Sequence, residues 1–251
     1  MDTLEQNKVI KICLDKDLTF EQQQAASQIG VGLGLVDDPG EAEMAATRLW
    51  RNGSILSVRF LGGDKTVQQR VEQYAHQWEQ YANIGFKFVD EGSAVIRIAF
   101  TPNAGSWSFL GTGNLLHWFN QDAPTMNYGW LTPETEDEEY SRVVLHEFGH
   151  ALGCIHEHQS PDAGIPWDKE KAYAYYGQTN GWSRAEVDAQ VFARYNKLLT
   201  QFTKFDPTSI MEYPVPPEIT IGNFSIGWNT RLSDTDKAFI AQLYPRPVQP
   251  A

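Results

Sequence analysis

The chain has 251 residues, of which 41% are hydrophobic, 12% aromatic and 21% charged, and its net charge is −12. That supplies the core of one large domain or two modest ones, and it is too apolar a mixture for a disordered chain. The acidic balance, with no clustered Lys/Arg face, excludes a nucleic-acid partner, and no apolar run approaches the roughly 20 residues of a membrane span.

Residues 1–46 read as a polar lead-in, with a weak helical stretch around Glu21 to Ile29 and a Gly/Asp/Pro-rich region, GVGLGLVDDPGEAE. The first stretch, MDTLEQNKVIKICLDKD, lacks the basic-then-apolar order of a signal peptide, so the sequence leaves the compartment open. SILSVRF (54–60) alternates like a half-buried strand between the turn signals Asn52-Gly53 and Gly62-Gly63. DKTVQQRVEQYAHQWEQYA (64–82) follows with Val67, Val71, Tyr74, Trp78, Tyr81 and Ala82 at helical spacing and Asp64 as the expected N-cap. GFKFV (85–89) and AVIRIAF (94–100) are short strands, and TMNYGWL (125–131) is another.

TEDEEYSRVVLHEFGHALG (135–153) predicts a second long helix. Thr135 and Glu138 make a capping-box pair, acidic residues fill the first turn, and Gly153 stops it. Beyond His158 the chain turns to loops and helices: DKEKAYAYYG, SRAEVDAQVFARYNKLL and a final SDTDKAFIAQLYP. No internal repeat or low-complexity linker interrupts this order. The two cysteines, Cys13 and Cys154, are too few for a disulfide framework; spacing leaves them free or bridged to each other, and free thiols are the simpler reading.

HEFGHALGCIHEH (146–158) gathers four of the chain's six histidines. On a helix, His146 and His150 lie one turn apart on one face, the separation that two ligands of one zinc need. Glu147 sits about 100° around, poorly placed as a ligand but well placed as a general base toward a metal-activated water. A turn at Gly153 brings His156 back toward the same point, which makes three ligands and leaves one position open, the pattern of a catalytic site. The spacing HExxHxxGxxH fixes five positions and arises by chance in about one chain in ten thousand of this length. Cys154 is a poor fourth ligand for a site that needs an open position. His158, two residues past the last ligand, is expected to point away from the metal. His76 and His117 read as structural or exposed, and Trp107, Trp130 and Trp167 read as core.

The spacing HExxHxxGxxH resembles that of the metzincin zinc peptidases, and FDPTSIMEYP (205–214) resembles their methionine turn. Within that group the chain is most similar to the astacin family, through Glu157 after the third histidine, the SxMxY turn Ser209–Tyr213, GSWSFLG (105–111) and the opening LWRNGSILSVRF. It departs from astacins in lacking the cysteines for two disulfides and in placing Glu212 where histidine is common.

The resemblance implies an α+β, metzincin-like fold. Its twisted, mixed five-stranded sheet carries two long helices above the active-site cleft, and the lower subdomain is mainly helical or irregular. It implies three segments: residues 1–46 as an N-terminal, pro-segment-like extension, 47–156 as an upper catalytic subdomain ending in the zinc motif, and 157–251 as a lower subdomain with the methionine turn. It implies a zinc-dependent endopeptidase with one catalytic Zn2+, held by His146, His150 and His156, with Glu147 as base and Tyr213 as donor to the transition state. Met211 would support the site, Gly153 would turn the chain, and Glu157 would be a structural anchor. Cys13 is a candidate latency ligand, with Asp37 or Asp38 as alternatives and an ordinary structural extension as the simpler reading.

Protein or peptide substrates would bind in extended form to a monomer, with Ile96 to Phe100 as the candidate edge strand and an interior position as the alternative. The acidic surface mildly favours basic substrates. Family habit points to export after removal of a leader. Two other functions fit the same motif: a catalytically inactive zinc-containing peptide-binding module, which the presence of Glu147 argues against, and a non-peptidase hydrolase using the same zinc.

Overall fold

The computed structural model describes residues 13, 16, 18–37, 48–194 and 204–247. Asp38, the segment GEAE and the distal part of SRAEVDAQVFARYNKLL lie outside them. Helix α1 (Phe20–Gly32) carries a complete capping box between Thr19 and Gln22. Strands β1 (Ile55–Phe60), β2 (Gly85–Phe88), β3 (Ile96–Ala99), β4 (Ser106–Ser108) and β5 (Met126–Tyr128) form one sheet in the order β2-β1-β3-β5-β4. All neighbours are parallel except β4, which runs antiparallel to β5.

This order corrects the expectation for Ile96 to Phe100. β3 lies inside the sheet between β1 and β5, and the edge on that side is β4. The apolar run of β3 was the interior signal, since a strand covered on both faces has no polar alternation. Arg97 is the exception in that run. It is fully buried and donates to the carbonyls of Ala94, Val95, Leu116 and Ala123, tying the loop after β4 to the sheet.

Helix α2 (Lys65–Ala75) starts at Asp64, whose carboxylate accepts from the Thr66 and Val67 amides. It is shorter than its periodicity predicts. The chain tightens into a 3₁₀ turn at Trp78–Gln80, because the indole of buried Trp78 donates to the Leu145 carbonyl, 3.0 Å away. Helix α3 (Asp137–Ala151) holds that carbonyl and packs on α2.

The capping box expected at Thr135 does not form. Glu136 occupies the N-cap, and the Thr135 hydroxyl accepts from the Thr132 amide instead. The helix start is secured from outside, with Asp137 accepting from Tyr74 (2.6 Å) and Arg70 (3.0 Å). The acidic first turn, Asp137 to Glu139, is as expected.

After α3 come α4 (Lys169–Thr179), α5 (Arg184–Val187) running into a wide turn at Asp188–Phe192, and α6 (Asp234–Leu243). The large core joins the sheet, α2 and α3. A second, smaller cluster gathers Ile165, Tyr176, Val187, Tyr213, Val215 and Ile226 from the later segments. No described helix is long and apolar enough to cross a membrane.

Candidate metal centre and cleft

The three histidines converge. The Nε2 atoms of His146, His150 and His156 lie 3.0, 3.1 and 3.1 Å from one another, and all three residues are buried. His146 Nδ1 lies 2.8 Å from the Ile210 carbonyl, and His150 Nδ1 lies 2.8 Å from the Cys154 carbonyl. A carbonyl only accepts, so each Nδ1 carries the proton and each Nε2 presents a lone pair. Burial, and then the neighbouring imidazoles, hold His146 and His156 well below the usual histidine range, which keeps them neutral.

Two lone pairs 3.1 Å apart repel each other unless a cation lies between them. A triangle of this size admits an ion about 2.0–2.1 Å from every corner, the zinc–imidazole distance. The donor set therefore fits zinc.

The chain reaches this geometry through Gly153, at φ +98°. Its amide and that of Cys154 close the helix end onto the His150 and Gly149 carbonyls. A β-carbon there would also press on the end of the Leu49 side chain at 2.9 Å, but it is the positive φ that requires glycine. The Glu157 amide then donates to the Met211 carbonyl, which pins the returning loop to the methionine turn. Asp236 of α6 holds that turn from below, accepting from Ser209 Oγ (2.6 Å) and the Ile210 amide (2.8 Å). Met211 packs beneath α3 so closely that a β-carbon on Gly149 would lie 2.4 Å from its sulfur.

Glu147 is fully buried one step along α3 from His146. Burial first, and then the nearby Glu147 charge, push the Cys13 thiol up. Tyr213 donates to the Cys13 carbonyl at 2.5 Å, and its ring lies 4.3 Å from that of His156. Cys13 thus sits in the cleft beside Glu147, while the ligand atoms gathered within 4.8 Å of one another are those of the histidines. Cys13 pairs with Ser106 and Lys16 with Phe109, both in parallel sense, so these two residues lie along the β4 edge and the residue after it. Asp37 is exposed and paired with Arg51.

Cys13 and Cys154 are both free thiols, and Cys154 offers the site its carbonyl rather than its buried sulfur. Glu157 accepts from the Asp206 amide at 2.9 Å, and burial pushes its carboxyl up to about 7. His158 lies outside the converging ligand atoms. It is buried, stacked 4.4 Å from the Tyr213 ring and 5.2 Å from His156, and its Nε2 donates to the Gln190 carbonyl. Sequence reasoning missed Asp236, Trp78 and this role of His158. Only Asp236 had a signal, as the N3 residue of the capping box that Ser233 opens in SDTD.

A three-histidine centre behind the edge of a mixed five-stranded sheet, with a methionine turn beneath it, defines a metzincin-type zinc metalloendopeptidase. The family model of the astacin peptidases matches residues 42–245, and the chain belongs to this family. A solved structure of myroilysin is 49% identical over 80% of this chain and 97% of its own, with a TM-score of 0.78. High choriolytic enzyme 1, a hatching enzyme zinc-protease from Oryzias latipes (medaka fish), is 17% identical and shares the fold at a TM-score of 0.54, covering 82% of this chain and 96% of its own. The interstitial collagenase of Bos taurus is 34% identical over 99 residues, which span 36% of this chain and only 21% of that protein.

Proposed function

We propose that His146, His150 and His156 hold the zinc and that Glu147 is the general base of peptide-bond hydrolysis. The observation that carries this reading is the buried Nε2 triangle with the Glu147 carboxylate one helix position away. When bound, zinc supplies Lewis-acid polarisation of the scissile carbonyl and acidifies a water. Glu147 takes the proton of the attacking water and hands it to the leaving amine nitrogen. Tyr213, which already donates to a peptide carbonyl in the cleft, donates to the oxyanion as it develops. Met211 and Gly153 shape the site without touching substrate, and Glu157 anchors the segment at Asp206.

Substrate binds as an extended strand on the β4 edge of a monomeric enzyme. Residues 47–156 form the upper wall of the cleft and 157–251 the lower. Residues 1–46 act as a pro-segment, with Cys13 as the blocking residue. Two contacts support this: the Cys13 carbonyl occupies the Tyr213 hydroxyl, and Cys13 sits on the β4 edge. Removing residues 1–46 is expected to raise peptide cleavage, and unchanged activity rejects the inhibitory role.

Glu147→Gln tests the central assignment. The variant is expected to keep one zinc per chain by metal analysis and to lose about 10²–10⁴ in kcat/KM on a peptide substrate. If the wild-type protein binds zinc and peptide without cleaving, the inactive binding module is the correct reading.

A further inference from the structure

Cys13 and Lys16 of the lead-in lie on the proposed substrate track, and the contacts they make there record what the track accepts. On β4, Ser106 and Ser108 turn inward and are buried, so Trp107 turns outward and is only partly covered. The Lys16 ammonium stands over this ring, 5.0 Å from its centroid, within the range of a cation–π contact. Phe109, two residues along, lies 5.6 Å from Trp107 and widens the aromatic surface. The register fixes the distance from the chemistry. Cys13, whose carbonyl accepts from the Tyr213 hydroxyl, pairs with Ser106, and Lys16, three residues on, pairs with Phe109.

We propose that the outward face of Trp107, backed by Phe109, is a substrate subsite that takes a Lys or Arg side chain within three residues of the scissile bond. The inference rests on the reading of β4 as the substrate edge. An aromatic face suits this role because it attracts a cation without requiring a buried carboxylate, while the alkyl stem lies along the ring. The same ring serves Lys16 before the lead-in leaves and a substrate side chain afterwards. Trp107, which reads as a core residue in the sequence, is instead part of the cleft.

The test uses the zinc-loaded enzyme obtained from the full chain by limited proteolysis. Paired peptides differ only in Lys against norleucine, placed in turn at each of the three positions on either side of the cleaved bond. At one position the Lys peptide is expected to have a kcat/KM about two- to fivefold higher, the scale of an exposed cation–π contact. Trp107→Leu should bring that ratio to about 1, and Trp107→Phe should retain most of it. The preference should persist in about 1 M salt, where the screening length falls to ~3 Å.

A preference of similar size at all positions that disappears in salt overturns the proposal, because it reports general steering by the acidic surface. A ratio that Trp107→Leu leaves unchanged overturns it as well. If neither variant accumulates as folded protein, the position and salt dependence of the wild-type ratio decide. Cleavage with no basic preference rejects this subsite alone. Failure to cleave any peptide rejects the endopeptidase reading beneath it.

Discussion

Met211 and Tyr213 stand two residues apart, yet they belong to different cores. Met211 packs into the large cluster with Trp78 and Phe148, and Tyr213 packs into the small one with Tyr176 and Val215. The large cluster is built from a sheet and two helices whose apolar residues repeat at strand or helix period. The small one is assembled from short, irregular pieces, joined by bridges such as Trp167 to Thr220 and Val215 to Ile226. Two of the three histidines rise from the regular half. The tyrosine hangs from the irregular half, and His156 and the methionine turn join the two. The difference separates metal holding from transition-state contact, and each can be broken without the other.

The largest effect is expected from His150→Ala in the regular half. It removes one corner of the nitrogen triangle, so the purified variant should lack stoichiometric zinc. With free zinc at about 1,000 times its Kd, binding contributes about 4 kcal/mol to the wild type. A chelator should therefore lower the wild-type melting temperature by roughly 10 °C and leave the variant unmoved. One zinc per chain in the variant would refute the triad.

Tyr213→Phe addresses the other half and should give the opposite pattern. Zinc content and melting temperature are expected to stay close to wild type, while kcat falls about 10²-fold with little change in KM, the signature of a donor used only in the transition state. The proteolysed enzyme is the one to measure, because in the intact chain the hydroxyl is engaged by the Cys13 carbonyl. A kcat within threefold of wild type would remove Tyr213 from the mechanism.

The same division explains what was legible in the sequence. His146, His150, Gly153 and His156 could be read because helical spacing and a glycine turn are local facts. Strands β1, β2, β3 and β5 could be read from short apolar or alternating runs between turn signals, but β4 and the order of the sheet could not. The partners of β3 are set by residues distant in sequence, and only its lack of polar alternation hinted at an interior place. Thr135 failed as a cap for the same reason. Arg70 and Tyr74, from another helix, decide where α3 begins. The helical period of residues 64–82 overran because Trp78 is claimed by Leu145 across the core. Asp236 and His158 act through partners 26 and 32 residues away, which no window along the chain contains.

The smallest effect concerns the joint itself, and there the sign carries the information. Gly149 lies within α3, where glycine costs about 0.5–1 kcal/mol relative to alanine. On helix propensity alone, Gly149→Ala should stabilise the protein. The contact geometry argues the reverse. The new methyl group would lie 2.4 Å from Met211 Sδ and 3.2 Å from the Trp78 ring, so the methionine or the helix must move. Overpacking of this kind costs about 1–3 kcal/mol, and the melting temperature of the chelated protein is expected to fall. A double-mutant cycle isolates the cause. Once Met211→Ala has removed the sulfur, adding Gly149→Ala should cost nothing or stabilise. A penalty that persists without the methionine would mean that the glycine serves the helix rather than the turn beneath it, and that the two halves are not joined through this contact.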